Sequence, residues 1–146
     1  MIKFLITNRE RITSLDGSLQ LKHVVISICC PHNDFPKLPE NDKRLGLLQL
    51  KFVDLDKADD AKQIGQEHLL MTEEQAKVIL AFVDKYYNLI EAIICQCDAG
   101  VSRSAGVAAA LSKILNGDDS WVFNSKEYIP NMYVYRMIIN KYYNNL

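Results

Sequence analysis

The sequence predicts an α/β domain in which a mainly parallel central sheet is flanked by helices. Residues 23–30 and 92–96 are almost continuously apolar, which is typical of strands that are buried on both faces. Helical patterns separate the strands, as the crossovers of a parallel sheet require. The chain has 146 residues and a hydrophobic content of 49%. That is enough for one core, so we expect a single domain over residues 1–146.

Three predicted strands precede the acidic segment of the chain. Residues 3–7 alternate weakly between apolar and polar and predict a short first strand, after which residues 16–18 predict a turn. The strand at 23–30 ends at Pro31, and residues 45–53 predict the next strand. An acidic segment follows that strand directly.

Three helices are predicted in the second half. Thr72 and Gln75 form a capping box at the start of the first. Its apolar positions at helical spacing are Ala76, Ile79, Leu80, Val83, Tyr87 and Ile90. The second follows the strand at 92–96 and runs to about Leu115, where Asn116 and Gly117 end it. Pro130 begins the last helix.

Charge and hydropathy narrow the function classes. The formal net charge of −1 gives no electrostatic reason to expect nucleic acid or an anionic membrane surface as partner. No apolar run approaches the roughly 18 residues that a membrane helix needs. The apolar start at residues 1–6 is too short for a signal peptide. We therefore expect a cytoplasmic protein, and a monomer.

The cysteines fit a reducing compartment. They stand at positions 29, 30, 95 and 97, and the sequence contains neither a CxxC motif nor a histidine pair at ligand spacing. We therefore expect reduced thiols and no metal site.

The segment from Cys97 to Ser104 carries the chemistry. It lies between a strand and a small-residue helix, a layout that aims backbone N–H groups and a helix N-terminus at one point and so favours an anion. Cys97 supplies a nucleophile and Arg103 a bidentate phosphate ligand. Gly100 permits the curled backbone, and Ser102 or Ser104 can hydrogen-bond the sulfur. The predicted anion-binding residues are Asp98, Ala99, Gly100, Val101, Ser102 and Arg103.

This motif resembles the signature of the cysteine-dependent protein tyrosine phosphatase superfamily: Cys, five residues, Arg, then Ser or Thr. Within this superfamily, the motif is more similar to the compact dual-specificity-like branch, and in particular to its small bacterial members. The resemblance is specific over residues 92–115, looser over 45–90, and extends to 130–136. It implies a catalytic domain that hydrolyses phosphomonoesters without metal or organic cofactor. It also implies that the partner is a phosphorylated protein or peptide. The group hydrolysed would be phosphotyrosine, and whether phosphoserine and phosphothreonine are hydrolysed too stays open.

By position, the resemblance makes Cys97 the nucleophile, Arg103 the phosphate ligand, and Ser104 the hydroxyl that helps the thiolate leave. One departure is Gln96, which stands where the family usually has histidine. Glutamine carries no charge, so we expect less support for the thiolate and a slower enzyme. A separate point is Asp98, whose carboxylate in the loop disfavours a polyanionic phosphoinositide substrate.

The motif does not identify the general acid, the group that would protonate the leaving oxygen. The acidic segment offers four aspartates: Asp54, Asp56, Asp59 and Asp60. Placement at the end of a strand favours Asp54, and Asp56 is the runner-up. A non-catalytic phosphate-binding module of the same fold remains the alternative to an enzyme, because of Gln96 and the undetermined acid.

Overall fold

One parallel sheet organises the molecule. The computed structural model describes residues 1–55 and 62–144. Four strands lie in the order β1-β4-β2-β3, and each neighbouring pair is parallel. They are β1 (Lys3–Thr7), β2 (His23–Cys29), β3 (Arg44–Lys51) and β4 (Ala92–Gln96). The prediction of a parallel central sheet flanked by helices is confirmed.

Helices connect and cover the strands. They are α1 (Ile12–Ser18), α2 (Glu73–Tyr86), α3 (Arg103–Asn116), α4 (Ser120–Phe123) and α5 (Met132–Asn144). Short 3₁₀ turns lie at Glu67–Leu69 and Tyr87–Leu89. None of the helices in the described part of the chain has the length and apolar character to cross a bilayer.

Both faces of the sheet are buried, which explains the unbroken apolar runs. Val24, Ile26 and Ile28 of β2 belong to the main core, to which α2, α3 and α5 also contribute buried side chains. Val25, between them, belongs to a second cluster with Ile12 of α1. Because side chains alternate along a strand, a central strand covered on both sides has no polar face.

Local signals placed two helix ends correctly. Gln75 N donates to Thr72 Oγ1 at 3.1 Å, and Thr72 N donates to Gln75 Oε1 at 2.9 Å, so the predicted capping box is present. Gly117 ends α3 in the left-handed conformation, with φ of 75°. A residue with Cβ adopts that conformation at a cost, so glycine there fixes the end of the helix.

Two local predictions were wrong. Residues 16–18, where a turn was predicted, lie inside α1. The reason is tertiary: Asp16 is fully buried and bonds His23 Nε2 at 2.8 Å, so its polar side chain serves a buried pair. Tyr87, predicted to face the core, is 41% exposed because it lies in the 3₁₀ turn that follows α2.

The topology sets where a site can form. The strands are parallel, so their carboxyl ends share one edge of the sheet, where ligands of such sheets bind. The chain leaves that edge after Thr7, Cys29, Lys51 and Gln96. Segments that are far apart in sequence therefore meet there.

Candidate active site

The segment of residues 97–102 joins β4 to α3 and is anchored on the end of β1. Cys97 N donates to Thr7 O at 3.3 Å, and Arg9 N donates to Asp98 O at 3.2 Å. Gly100 has φ of +72°, and a Cβ there would lie 2.7 Å from the carbonyl carbon of Thr7. Both the dihedral angle and this close approach require glycine.

Cys97 lies at the bottom of this loop and is only 1% exposed. Its Sγ is 3.0 Å from Ser104 Oγ and accepts a hydrogen bond from Gly100 N at 3.3 Å. Ser104 belongs to the first turn of α3, whose N-terminal end carries a partial positive charge. The hydroxyl, the amide and the helix end all stabilise negative charge on the sulfur.

Arg103, the first residue of α3, is 4% exposed. Its Nη1 donates to Phe52 O at 2.9 Å, and its Nη2 donates to Asp98 Oδ2 at 3.3 Å. Burial alone would lower the pKa of Arg103, but the acidic groups around it, Cys97 first, raise its pKa overall. Within residues 1–55 and 62–144, its Nε has no hydrogen-bond partner.

Asp54 lies over the loop from the side of β3. Its Oδ1 accepts from Ser102 Oγ at 2.7 Å and from Asn131 Nδ2 at 2.9 Å. Asn131 is 1% exposed and is itself fixed, because its N donates to Ser102 O and its Oδ1 accepts from Val134 N, both at 3.0 Å. Ser102 and Asn131 therefore hold Asp54 through the same oxygen.

The structure brings most of the predicted site residues together. Cys97, Arg103 and Ser104 share the loop and the first turn of α3, and Asp54 is within hydrogen-bond distance of Ser102. Of the two serines considered for the sulfur, Ser104 contacts it and Ser102 bonds Asp54 instead. The other acid candidates, Asp56, Asp59 and Asp60, lie outside the described residues.

Gln96 bonds a residue of the neighbouring strand. It is fully buried, and its Oε1 accepts from Ser27 Oγ on the neighbouring strand β2. Its Nε2 has no hydrogen-bond partner within the described part of the chain. The uncharged side chain therefore ties β4 to β2 through its oxygen.

Three groups at the site were missed by the sequence reasoning. Arg9 Nη1 lies 3.4 Å from Asp98 Oδ1, Cys30 N donates to Asp98 Oδ2 at 3.1 Å, and the carbonyl of Phe52 holds Arg103. All three follow the carboxyl end of a strand, a signal that a search of strand ends would have used. Arg9 was overlooked because it falls in the ambiguous segment before α1.

Solved structures of phosphatases are similar to this chain over nearly its whole length. DUSP15 matches with a TM-score of 0.61 and 15% identity, covering 96% of this chain and 83% of that one. Human DUSP28 matches with a TM-score of 0.58 and 11% identity, covering 99% and 97%. PTPMT1, in complex with PI(5)P, matches with a TM-score of 0.51 and 18% identity, covering 97% and 88%.

The chain has the fold of the cysteine-dependent protein phosphatases. No protein-family model and no curated protein sequence matches it. At identities of 11 to 18%, the likeness to these phosphatases establishes the fold, and the reaction has to be argued from the site.

An open cavity of about 490 Å³ adjoins the loop of this phosphatase fold. Its lining among the described residues is Cys30, Pro31, His32, Val53, Asp54, Leu55, Gln66 and Leu69. A larger cavity of about 720 Å³ lies between α2, α3 and α5, with a mostly apolar lining. Of these two cavities, only the smaller one includes Asp54 in its lining.

Proposed function

We propose that residues 1–146 form one catalytic domain that hydrolyses phosphomonoesters through a cysteinyl-phosphate. The observation that carries the proposal is the environment of Cys97 Sγ. This sulfur is buried, lies 3.0 Å from Ser104 Oγ and accepts the Gly100 amide at 3.3 Å, with Arg103 opening the helix beside it. A buried sulfur that collects donors at a helix N-terminus is suited to nucleophilic attack.

In the first step the Cys97 thiolate attacks phosphorus in line with the leaving oxygen. The P–O bond to that oxygen breaks as the S–P bond forms, and Asp54 transfers its proton to the departing oxygen. Arg103 and the amides of the loop hold the equatorial oxygens, on which negative charge is spread in the transition state.

In the second step water attacks the phosphorus of the cysteinyl-phosphate. The Asp54 carboxylate takes a proton from that water, the S–P bond breaks, and inorganic phosphate is released with the thiolate restored. Ser104, by donating to Sγ, stabilises the departing thiolate. The proton and the sulfur return to their starting states, so no cofactor takes part in this scheme.

The substrate class follows from the surroundings of Asp54. The cavity of about 490 Å³ beside it is open and partly apolar, which suits the aromatic ring of phosphotyrosine in a protein or peptide. An open pocket also admits phosphoserine and phosphothreonine. Asp98 places a second negative charge beside the anion site, which disfavours phosphoinositides.

The test is turnover of p-nitrophenyl phosphate by wild type, Cys97→Ser and Cys29→Ser. Cys29 is a matched control, because it is also buried and a serine can keep its hydrogen bond to Asn33 O. We expect turnover to vanish in Cys97→Ser and to persist in Cys29→Ser. A non-catalytic binding module predicts instead that wild type is indistinguishable from Cys97→Ser.

The acid is tested by changing the leaving group. A phenol as basic as tyrosine needs a proton to leave, whereas p-nitrophenolate leaves readily without one. Asp54→Ala is therefore expected to lose about 10²- to 10³-fold in kcat with a phosphotyrosine peptide, and clearly less with p-nitrophenyl phosphate. Asp56→Ala serves as the comparison; a larger loss there would assign the acid to Asp56.

A further inference from the structure

The side chain of Asp98 lies among four donors at the edge of the sheet. Its Oδ2 accepts from Cys30 N at 3.1 Å, from Arg103 Nη2 at 3.3 Å and, at 3.5 Å, from Asn33 Nδ2. Its Oδ1 is 3.4 Å from Arg9 Nη1. Asp98 thus joins the phosphate loop to the ends of two other strands through its carboxylate.

Both terminal nitrogens of Arg103 have partners: Nη1 donates to Phe52 O and Nη2 donates to Asp98 Oδ2, and Nη1 also lies 3.6 Å from Cys30 Sγ. A guanidinium presents a first edge made of Nη1 and Nη2 and a second edge made of Nε–H and one Nη2 hydrogen. Nε is buried and has no partner in residues 1–55 and 62–144. This second edge has the fork geometry that binds two oxygens of a phosphate.

We propose that Asp98 is a positioning residue, which holds the Nη1/Nη2 edge of Arg103 so that its Nε/Nη2 edge faces the oxyanion on Cys97. This inference rests on the proposed function. In this arrangement Asp98 takes the Nη2 hydrogen on the Nη1 side, which leaves the other Nη2 hydrogen and Nε–H for the phosphate. It is itself fixed from the other side by the Cys30 amide.

The charge balance agrees with that role. Burial tends to raise the pKa of Asp98, but the hydrogen bond from the Cys30 amide and the neighbouring Arg103 outweigh it, and the pKa is lowered overall. Asp98 is therefore ionised at neutral pH. Arg9 lies on its outer side with 35% of its side chain exposed, so the repulsion between Asp98 and a bound phosphate is partly offset.

A double-mutant cycle between Asp98→Asn and Arg103→Lys tests the proposal. Asparagine has the shape of aspartate but turns an N–H₂ group toward one of the donors, and lysine lacks the fork. For Asp98→Asn alone we expect the Ki of inorganic phosphate and the KM to rise about tenfold, with kcat falling only a few-fold, which corresponds to about 1.4 kcal/mol of binding. In the Arg103→Lys background, the same change is expected to alter Ki less than about twofold.

The outcomes separate three roles for Asp98. An equal fractional loss of phosphate affinity in both backgrounds would show that Asp98 acts independently of Arg103, and would overturn the proposal. A lower Ki in Asp98→Asn would show that the carboxylate competes with phosphate, and an unchanged Ki would show no role; each overturns it too. Asp42→Asn, which removes an exposed carboxylate before β3, controls for net charge.

Two further measurements keep the test decisive. If Asp98→Asn does not fold, Arg9→Gln removes the outer contact of Asp98, together with the hydrogen bond from Arg9 Nη2 to Asp34 O. It is expected to weaken phosphate about two- to threefold in wild type and not at all with Arg103→Lys. Unchanged phosphate affinity in Arg9→Gln would then overturn the proposal. Phosphate affinity is measured by calorimetry as well as by inhibition, so a wild type without turnover contradicts the proposed function while the role of Asp98 is still tested.

Discussion

Two buried polar clusters lie at opposite ends of the sheet. At the amino end, both ring nitrogens of His23 face acceptors at 2.8 Å, Leu21 O and Asp16 Oδ1, and Asp16 Oδ2 accepts from Arg44 Nη1 at 2.5 Å. At the carboxyl end, Arg103 is held by Phe52 O and Asp98, yet its Nε has no partner among the residues described.

The difference separates a cluster that stabilises the fold from one that is suited to bind. A buried polar group without a partner costs about 1–3 kcal/mol. The amino-end cluster avoids that cost, since each ring nitrogen of His23 and each carboxylate oxygen of Asp16 has a partner among the described residues. The carboxyl-end cluster bears it, among the residues described, at Nε of Arg103, in the helix turn whose Ser104 hydroxyl contacts the sulfur of Cys97. An oxyanion bound there would supply the missing acceptor.

Among the variants that compare the two clusters, the largest effect on activity is expected for Arg103→Lys. Lysine keeps the positive charge but loses the planar fork, so kcat/KM for p-nitrophenyl phosphate should fall about 10²- to 10³-fold. Initial rates over a range of substrate concentrations measure this. The free energy of unfolding, from urea titration, should change less than in the variant of the amino-end cluster considered next. An active Arg103→Lys enzyme that is strongly destabilised would make this cluster a structural one as well.

The reverse pattern is expected for Asp16→Asn. This change removes the fully buried carboxylate that bonds His23 and forms an ion pair with Arg44. Breaking a buried ion pair from one side costs about 3 kcal/mol of unfolding free energy, and urea titration measures it. At a temperature where the variant is folded, kcat/KM should stay within about twofold of wild type, since the two clusters are at opposite ends of the sheet. Loss of activity without loss of stability contradicts the distinction between the clusters.

A smaller effect is expected for Asn131→Ala, which removes one of the two donors to Asp54 Oδ1. Ser102 still holds the carboxyl group, so kcat with a phosphotyrosine peptide should fall about five- to tenfold with KM nearly unchanged. The loss should disappear in the Asp54→Ala background. If Asn131→Ala lowers kcat by the same factor in the Asp54→Ala background as in wild type, Asn131 acts on something other than the acid.

Much of the fold could be predicted because local patterns of apolar and capping residues determine it. Central strands buried on both faces gave continuous apolar runs, and the caps at Thr72 and Gly117 fixed two helix boundaries. The helix α1 could not be predicted in the same way. Its inward polar residue, Asp16, finds its partner on β2, and no periodicity reports a partner that is brought close by the fold.

The site residues also differ in whether local sequence could predict their contacts. Cys97, Arg103 and Ser104 lie within eight residues of one loop and helix start, so sequence spacing alone placed them together. The contacts of Arg9 with Asp98, 89 residues apart, and of Asn131 with Asp54, 77 residues apart, depend on the strand order. From the sequence we expected Asp98 to contribute a loop amide and a repulsive charge. The bond between its side chain and Arg103 depends on the positions of both residues at the edge of the sheet.

The smallest expected effect is a pH dependence of stability that distinguishes Asp98 from an uncharged contact. The pKa of Asp98 is lowered in the folded protein, where burial is outweighed by the Cys30 amide and Arg103. A carboxyl group of this kind stabilises the fold above its unfolded pKa of about 4, and that contribution is lost as the pH falls through the folded pKa. The gap in unfolding free energy between wild type and Asp98→Asn should therefore narrow below about pH 4.

Thr72→Ala, which removes the non-titrating cap of α2 and costs about 1 kcal/mol, should show a gap that does not change with pH. Parallel gaps for both variants would mean that Asp98 contributes no charge-dependent stability, and that the contacts of its carboxylate are too weak to hold Arg103.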